Sequence, residues 1–208
     1  MAESLGMTET TLTQNDLLAQ DIPTPELPIT VLSGEGVLKL GTVLGKITKG
    51  AISIAAVAGN TGTGVPGAIT RGAKAMVGVY SLVCIAAATD AGTFAVYDPD
   101  GRRLKDLTVA AAYDNGHFAI TIADGTDFVV GDKFNITVAA GSGKYKAYDN
   151  TETDGTDVAR VILGRDIDAT SADVKAFGYV GGSFREAALT GIDAAGKEDL
   201  LLYGIVVK

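Results

Sequence analysis

Hydrophobic positions in this chain fall in short runs cut by glycine. Val31-Leu32 stops at Ser33-Gly34, Val37 to Leu40 stops at Gly41, and Val43 to Thr48 carries Gly45 within it. Ala51 to Ala58 continues this style and ends at Gly59. Alternation bounded by turn residues fits strands better than a helical period. Further strands are predicted over 79–85, 93–97, 104–112, 117–123 and 133–138. In the last two, Phe118, Ile120 and Ile122 alternate with His117, Ala119 and Thr121, and Phe134, Ile136 and Val138 with Lys133, Asn135 and Thr137. Asp98-Pro99-Asp100-Gly101 suits a type I turn, and Asp114-Asn115-Gly116 is a hairpin signal. Val158 to Leu163, Val174 to Val180 and the terminal Ile205 to Val207 also read as strands. A short helix is expected around 193–202, where Glu198, Leu200 and Leu201 favour it. The fold class is therefore mainly β, with five central strands spaced as in a small sandwich or barrel of their own.

The first 20 residues are polar and lack large anchoring hydrophobes, so they read as a flexible arm. A short helix is conceivable over 16–20, though it is too short to be stable alone. Pro23, Pro25 and Pro28 follow, and each biases its preceding residue toward extended backbone. An extended arm can add to the edge of another sheet, with Ile22, Leu27, Ile29 and Val31 supplying pocket contacts. A leader without a partner is the competing reading.

Composition removes several chemistries. The chain has 208 residues with 27 Gly, one Cys, one His and no Trp. Cys84 cannot form an internal disulfide, and with His117 it falls short of a zinc ligand set. Nucleophilic catalysis would have to run through one of those two residues. Cys84 sits in an apolar run and reads as a small buried hydrophobe, and His117 as a strand-edge residue. No catalytic, cofactor-binding or metal-binding residue is assigned, and no enzyme activity is expected. The acid pairs Asp98/Asp100 and Asp166/Asp168 sit beside turns, which favours structural use over glycoside hydrolysis. Gly59 to Gly64 has neither the dinucleotide nor the P-loop spacing and reads as a flexible linker. The acidic loop 149–157 fails as a calcium loop, because with Gly155 at the sixth position Val161 falls where a bidentate acid is needed.

A net charge of −8 opposes capture of nucleic acid phosphate. Arg102, Arg103 and Lys105 stand among acids and form no basic patch. No run approaches the roughly 18 apolar residues of a membrane span, and the N-terminus shows no secretory pattern. Synthesis in a host cytoplasm is expected, with neither membrane nor nucleic acid as partner.

Two blocks carry a family resemblance. The first is Ser33-Gly34 with Gly41-Thr42-Val43-Leu44-Gly45-Lys46. The second is Gly143-Lys144-Tyr145-Lys146-Ala147-Tyr148, followed by Asp154-Gly155, Val161 to Leu163, Asp168-Ala169-Thr170, Val180-Gly181-Gly182 and Phe184 with Ala187 to Leu189. Over residues 16–54 and 143–208 the chain resembles the lambda-type head decoration proteins of tailed bacteriophages, with an interruption of roughly ninety residues between the blocks.

The resemblance implies a small β-barrel-like decoration domain (31–54 and 143–208), an extended N-terminal arm (1–30) and an inserted β-sandwich-like domain (55–142). It further implies a non-enzymatic virion protein that sits on the outer surface of the expanded head as a homotrimer at three-fold sites. There it would stabilise the major capsid lattice against packaged DNA. The arm would pair with the capsid, which places Ile22, Pro23, Pro25, Leu27, Pro28, Ile29 and Val31 at the contact. A carbohydrate- or host-surface-binding role for the inserted domain is the alternative function.

Overall fold

The computed structural model describes residues 14–19, 24–123 and 125–208. Two compact units divide the chain. Unit 1 comprises Met1–Lys46, Lys144–Asn150 and Thr156–Lys208, and unit 2 comprises Ile47–Gly143 and Thr151–Gly155. Unit 1 begins with helix α1 (Gln14–Leu17) and strands β1 (Glu26–Val31), β2 (Val37–Leu38) and β3 (Val43–Lys46). Unit 2 contributes β4 (Lys49–Ala56), β5 (Thr70–Arg71), β6 (Gly78–Ala88), β7 (Ala91–Tyr97), β8 (Leu107–Thr108), β9 (Tyr113–Asp114), β10 (Phe118–Ile120) and β11 (Lys133–Ala140). Back in unit 1 follow β12 (Tyr145–Ala147), β13 (Ala159–Leu163), β14 (Ile167–Asp168), β15 (Val174–Tyr179), β16 (Gly182–Phe184), helix α2 (Ala194–Leu202) and β17 (Ile205–Val207).

Unit 1 is built on a closed five-stranded barrel in the order β1-β12-β3-β13-β15. Closure leaves alternate side chains pointing inward, and Ile29, Val31, Leu44, Tyr145, Val161 and Leu163 form one buried cluster. A second cluster joins Leu17, Val43, Ile162, Tyr179, Phe184 and Leu200. The Gly41–Lys46 element owes its glycines to this packing. Gly41 has φ +87°, and a Cβ there would lie 2.4 Å from the Ala188 carbonyl oxygen; one at Gly45 would lie 2.5 Å from the Thr156 backbone. Helix α2 is capped by Asp193, whose carboxylate accepts from the Gly196 N–H at 2.7 Å and from the Tyr148 hydroxyl at 2.9 Å. The helix expected over 193–202 thus starts where its capping residue places it.

Unit 2 holds a five-stranded sheet in the order β4-β11-β6-β7-β8 and a three-stranded sheet in the order β5-β10-β9. Both sheets feed one core, in which Tyr80, Leu82, Phe94 and Phe134 from the larger meet Tyr113, Phe118 and Ile120 from the smaller. Tyr80 and Phe118 pack edge to face across the two sheets at 5.4 Å. Strand β11 shows the expected alternation, with Phe134, Ile136 and Val138 buried and Lys133, Asn135 and Thr137 exposed.

Four expectations change. Strand β4 pairs with β11 from Lys49 to Ala56, so it belongs to unit 2, whose first residue is Ile47 rather than 55. The strand expected over 104–112 contracts to Leu107–Thr108, because the chain turns at Ala110, which has φ +59°. Residues 59–64 are anchored: Thr61 and Gly62 donate their N–H groups to Asp132, and Cβ atoms at Gly62 and Gly64 would run into the Phe128 ring. Finally, Glu26–Val31 is a barrel strand, so the arm expected over 1–30 loses its last residues to the barrel.

Candidate docking surface

Strand β1 carries most of the residues expected to touch a capsid. It pairs antiparallel with β15 along its whole length, from Glu26 opposite Tyr179 to Val31 opposite Val174. The Val180 N–H donates to the Pro25 carbonyl at 3.0 Å, which sets the ladder so that Leu27, Ile29 and Val31 exchange bonds with β15. Pro28, which has no N–H, falls at a position facing away from β15. Proline is tolerated there because no ladder bond is lost. On the other side β1 meets β12 only at Val31 opposite Tyr145 among the described residues.

This arrangement sorts the expected contact residues. Ile29 and Val31 are 4% and 0% exposed and belong to the barrel core. Their assignment as partner contacts is corrected, since closing the barrel turns both inward. Pro25, Leu27 and Pro28 are exposed. Ile22 and Pro23 lie outside the described residues.

Beside Leu27 opens a cleft of about 190 Å³, lined also by Lys46, Tyr145, Arg160, Val161 and Tyr203. The Arg160 guanidinium lies over the Tyr203 ring, 5.2 Å from its centroid. Burial pushes the Tyr145 hydroxyl above its ordinary pKa, and the positive charge of Arg160 partly offsets this. Sequence reasoning missed this cleft. Arg160 stands between Ala159 and Val161 in an alternating strand, which reads as an ordinary solvent-facing position.

The residues weighed for chemistry hold backbone instead. Asp98 accepts from the N–H groups of Asp100 and Arg102 at 3.0 and 2.8 Å and from Arg102 Nε at 3.1 Å. Burial raises the pKa of this carboxyl, but the Arg102 N–H, the guanidinium charge and the Asp100 N–H outweigh that and hold it below the usual range. Asp166 accepts from the Leu40 N–H at 2.8 Å and from Lys39 Nζ at 2.9 Å, and Asp168 from the Thr170 N–H at 3.0 Å. Both acid pairs therefore fix turns. Cys84 is buried, and burial pushes its thiol up, away from the reactive thiolate. His117 Nδ1 lies 3.0 Å from the Tyr80 hydroxyl. That hydroxyl accepts from the Met76 N–H, and the histidine tautomer sets which partner donates in its bond with His117. Among the described residues no group of three or more His, Cys, Asp or Glu is placed to hold a metal, and no helix is long and apolar enough to cross a membrane.

The buried carboxylates of Asp98 and Asp132 in unit 2 and the exposed ones of Asp166 and Asp168 in unit 1 all accept from backbone N–H groups. Residues 67–202 match the family model of Bacteriophage lambda head decoration protein D, a span longer than half the chain, and the chain belongs to that family. It is a phage head decoration protein, a structural component of the virion capsid. The match takes in the Gly143–Leu189 block, whereas the Gly41–Lys46 element lies upstream of it. No curated protein matches the chain. Two crystal structures of FlgL from Xanthomonas campestris, in space groups H3 and C2, are similar at 24% identity over 51% of this chain. The similarity spans about a third of the FlgL chain, 34% and 33%, and its TM-score of 0.35 is too low to carry an argument.

Proposed function

We propose that this protein cements the expanded phage head, binding its outer surface as a homotrimer at three-fold sites and resisting the pressure of packaged DNA. The observation that carries the reading is the family match over residues 67–202. Three copies docking together turn a weak individual contact into a strong one when their spacing matches the lattice. A net charge of −8 favours a protein lattice over nucleic acid as the partner. Self-association is supported by the end of α2, where Leu201 and Leu202 are 61% and 84% exposed. Apolar side chains so placed gain by being covered.

Within this reading the arm is the segment upstream of β1, and Pro25, Leu27 and Pro28 are the part of the docking surface that the barrel leaves outward. Deleting residues 1–13 spares β1 and the buried Leu17 of α1 and should leave a folded trimer that no longer decorates expanded heads. Heads saturated by the truncated protein at the wild-type concentration would sink the arm mechanism. In solution the intact protein should sediment at three times its 21.2 kDa chain mass, and a monomer at tens of micromolar would rule out a preformed trimer. Unit 2 is proposed to be an insertion into the decoration domain. Its separate core of Tyr80, Phe94, Phe118 and Phe134 also supports a second role, display of a carbohydrate- or host-binding surface, which glycan arrays probed with decorated heads would reveal.

A further inference from the structure

Arg160 stands where β13 bulges. Ala159 pairs with Gly45 and Val161 with Leu44, so Arg160 is the extra residue between them. A bulge re-aims the side chain it carries and is a designed feature of a sheet. Arg160 Nε is buried without a hydrogen-bond partner. Among the described residues neither Arg160 nor Lys46 takes part in a salt bridge, and of the cations without one these two line a common cleft. Two cations without an ion-pair partner thus face one cleft in a chain with 25 acids and 17 bases. A charged donor left buried without an acceptor is costly, so the site is incomplete as it stands.

We propose that this cleft binds the carboxylate of an Asp or Glu side chain presented by an extended segment of the protein on which unit 1 docks. The guanidinium offers a planar fork that suits a carboxylate, and the Lys46 ammonium adds a second, mobile donor. Leu27 and Val161 line the same cleft and receive the methylenes of the incoming side chain. The side of β1 that meets β12 at Val31 carries Pro28, which lacks an N–H, so a full backbone ladder with an incoming strand cannot form there. Recognition therefore depends on the charge. This inference rests on unit 1 being a docking module, and its test is independent of head binding.

The blocked peptide acetyl-Val-Thr-Glu-Val-Thr-amide, its Gln counterpart and inorganic phosphate are titrated into the full-length protein, with the Leu27 and Val161 methyls and the Arg160 Nε–H followed by NMR. The Glu peptide should shift these signals and bind about tenfold or more tightly than the Gln peptide, with phosphate weaker than either. Arg160→Gln should abolish the preference and Lys46→Gln should weaken it, while Arg160→Glu should bind the corresponding Lys peptide instead. Unchanged signals from the second barrel cluster establish that each variant is folded. Equal binding of the Glu and Gln peptides, no binding of the Glu peptide, phosphate binding as tight as the Glu peptide, or an unaltered preference in folded Arg160→Gln would each overturn the proposal. Wild-type protein that fails to bind heads but discriminates the peptides would count against the docking function and leave the carboxylate site standing.

Discussion

Asp132 shows how single residues hold this protein together. It is 3% exposed, and its carboxylate accepts from the N–H groups of Thr61 and Gly62 at 2.9 Å each and of Val129 at 3.1 Å. Burial pushes this carboxyl up, but the three N–H donors outweigh it and hold it below the usual range. Asp132→Ala would leave those donors without their acceptor, and a loss of about 2–4 kcal/mol is expected in chemical denaturation. His117 sets a pH dependence of its own. Burial lowers its pKa below the ordinary 6.5, so the unfolded chain takes up the proton first. Its contribution to stability is complete above pH 6.5 and is lost as pH falls toward the lowered folded value. The thermal midpoint of unit 2 should drop between about pH 7 and pH 5, and His117→Gln should flatten that drop while leaving the later acid transition of the carboxylates. Neither role was legible from residue type. The single His read as a strand-edge residue.

At the level of elements, local signals placed most strands well. The alternation in 133–138 became β11, the apolar run at 79–85 became the centre of β6, and Asp193 capped the helix expected after it. These succeed because period-two burial and capping are written in neighbouring residues. The strand expected over 104–112 failed for an equally physical reason, since the positive φ of Ala110 belongs to a turn that alanine does not announce. The Gly41–Lys46 element marked the family resemblance, and the barrel supplies its meaning: β3 is packed so closely that Gly45 touches the Thr156 backbone. Gly45→Ala should therefore cost about 2–3 kcal/mol through overpacking. The measurement is the urea midpoint of unit 1, and an unchanged value would show that this contact has room to relax. The arm boundary moved for a related reason. Ile29 and Val31 look like exposed anchors in a proline-rich leader, yet the barrel closes over them.

For the whole molecule, the sequence alone determined the β class, the turns at 98–101 and 114–116 and the membership of a decoration family. All of these depend on residues near one another or on blocks that keep their order. Tertiary structure decided what no local pattern carries. Asp132 meets Thr61 across 71 positions and Asp166 meets Leu40 across 126, so Asp166, weighed for acid–base chemistry, and Asp132, which was not, both became supports for distant turns. Barrel closure, which joins β1 to β12 and β15, decided which residues of the expected contact segment face inward. It also brought Lys46 and Arg160 to one cleft from strands more than a hundred residues apart. Burial and charge compensation are properties of neighbours in space, and a chain folded by long-range strand pairing sets those neighbours only when its sheets are complete.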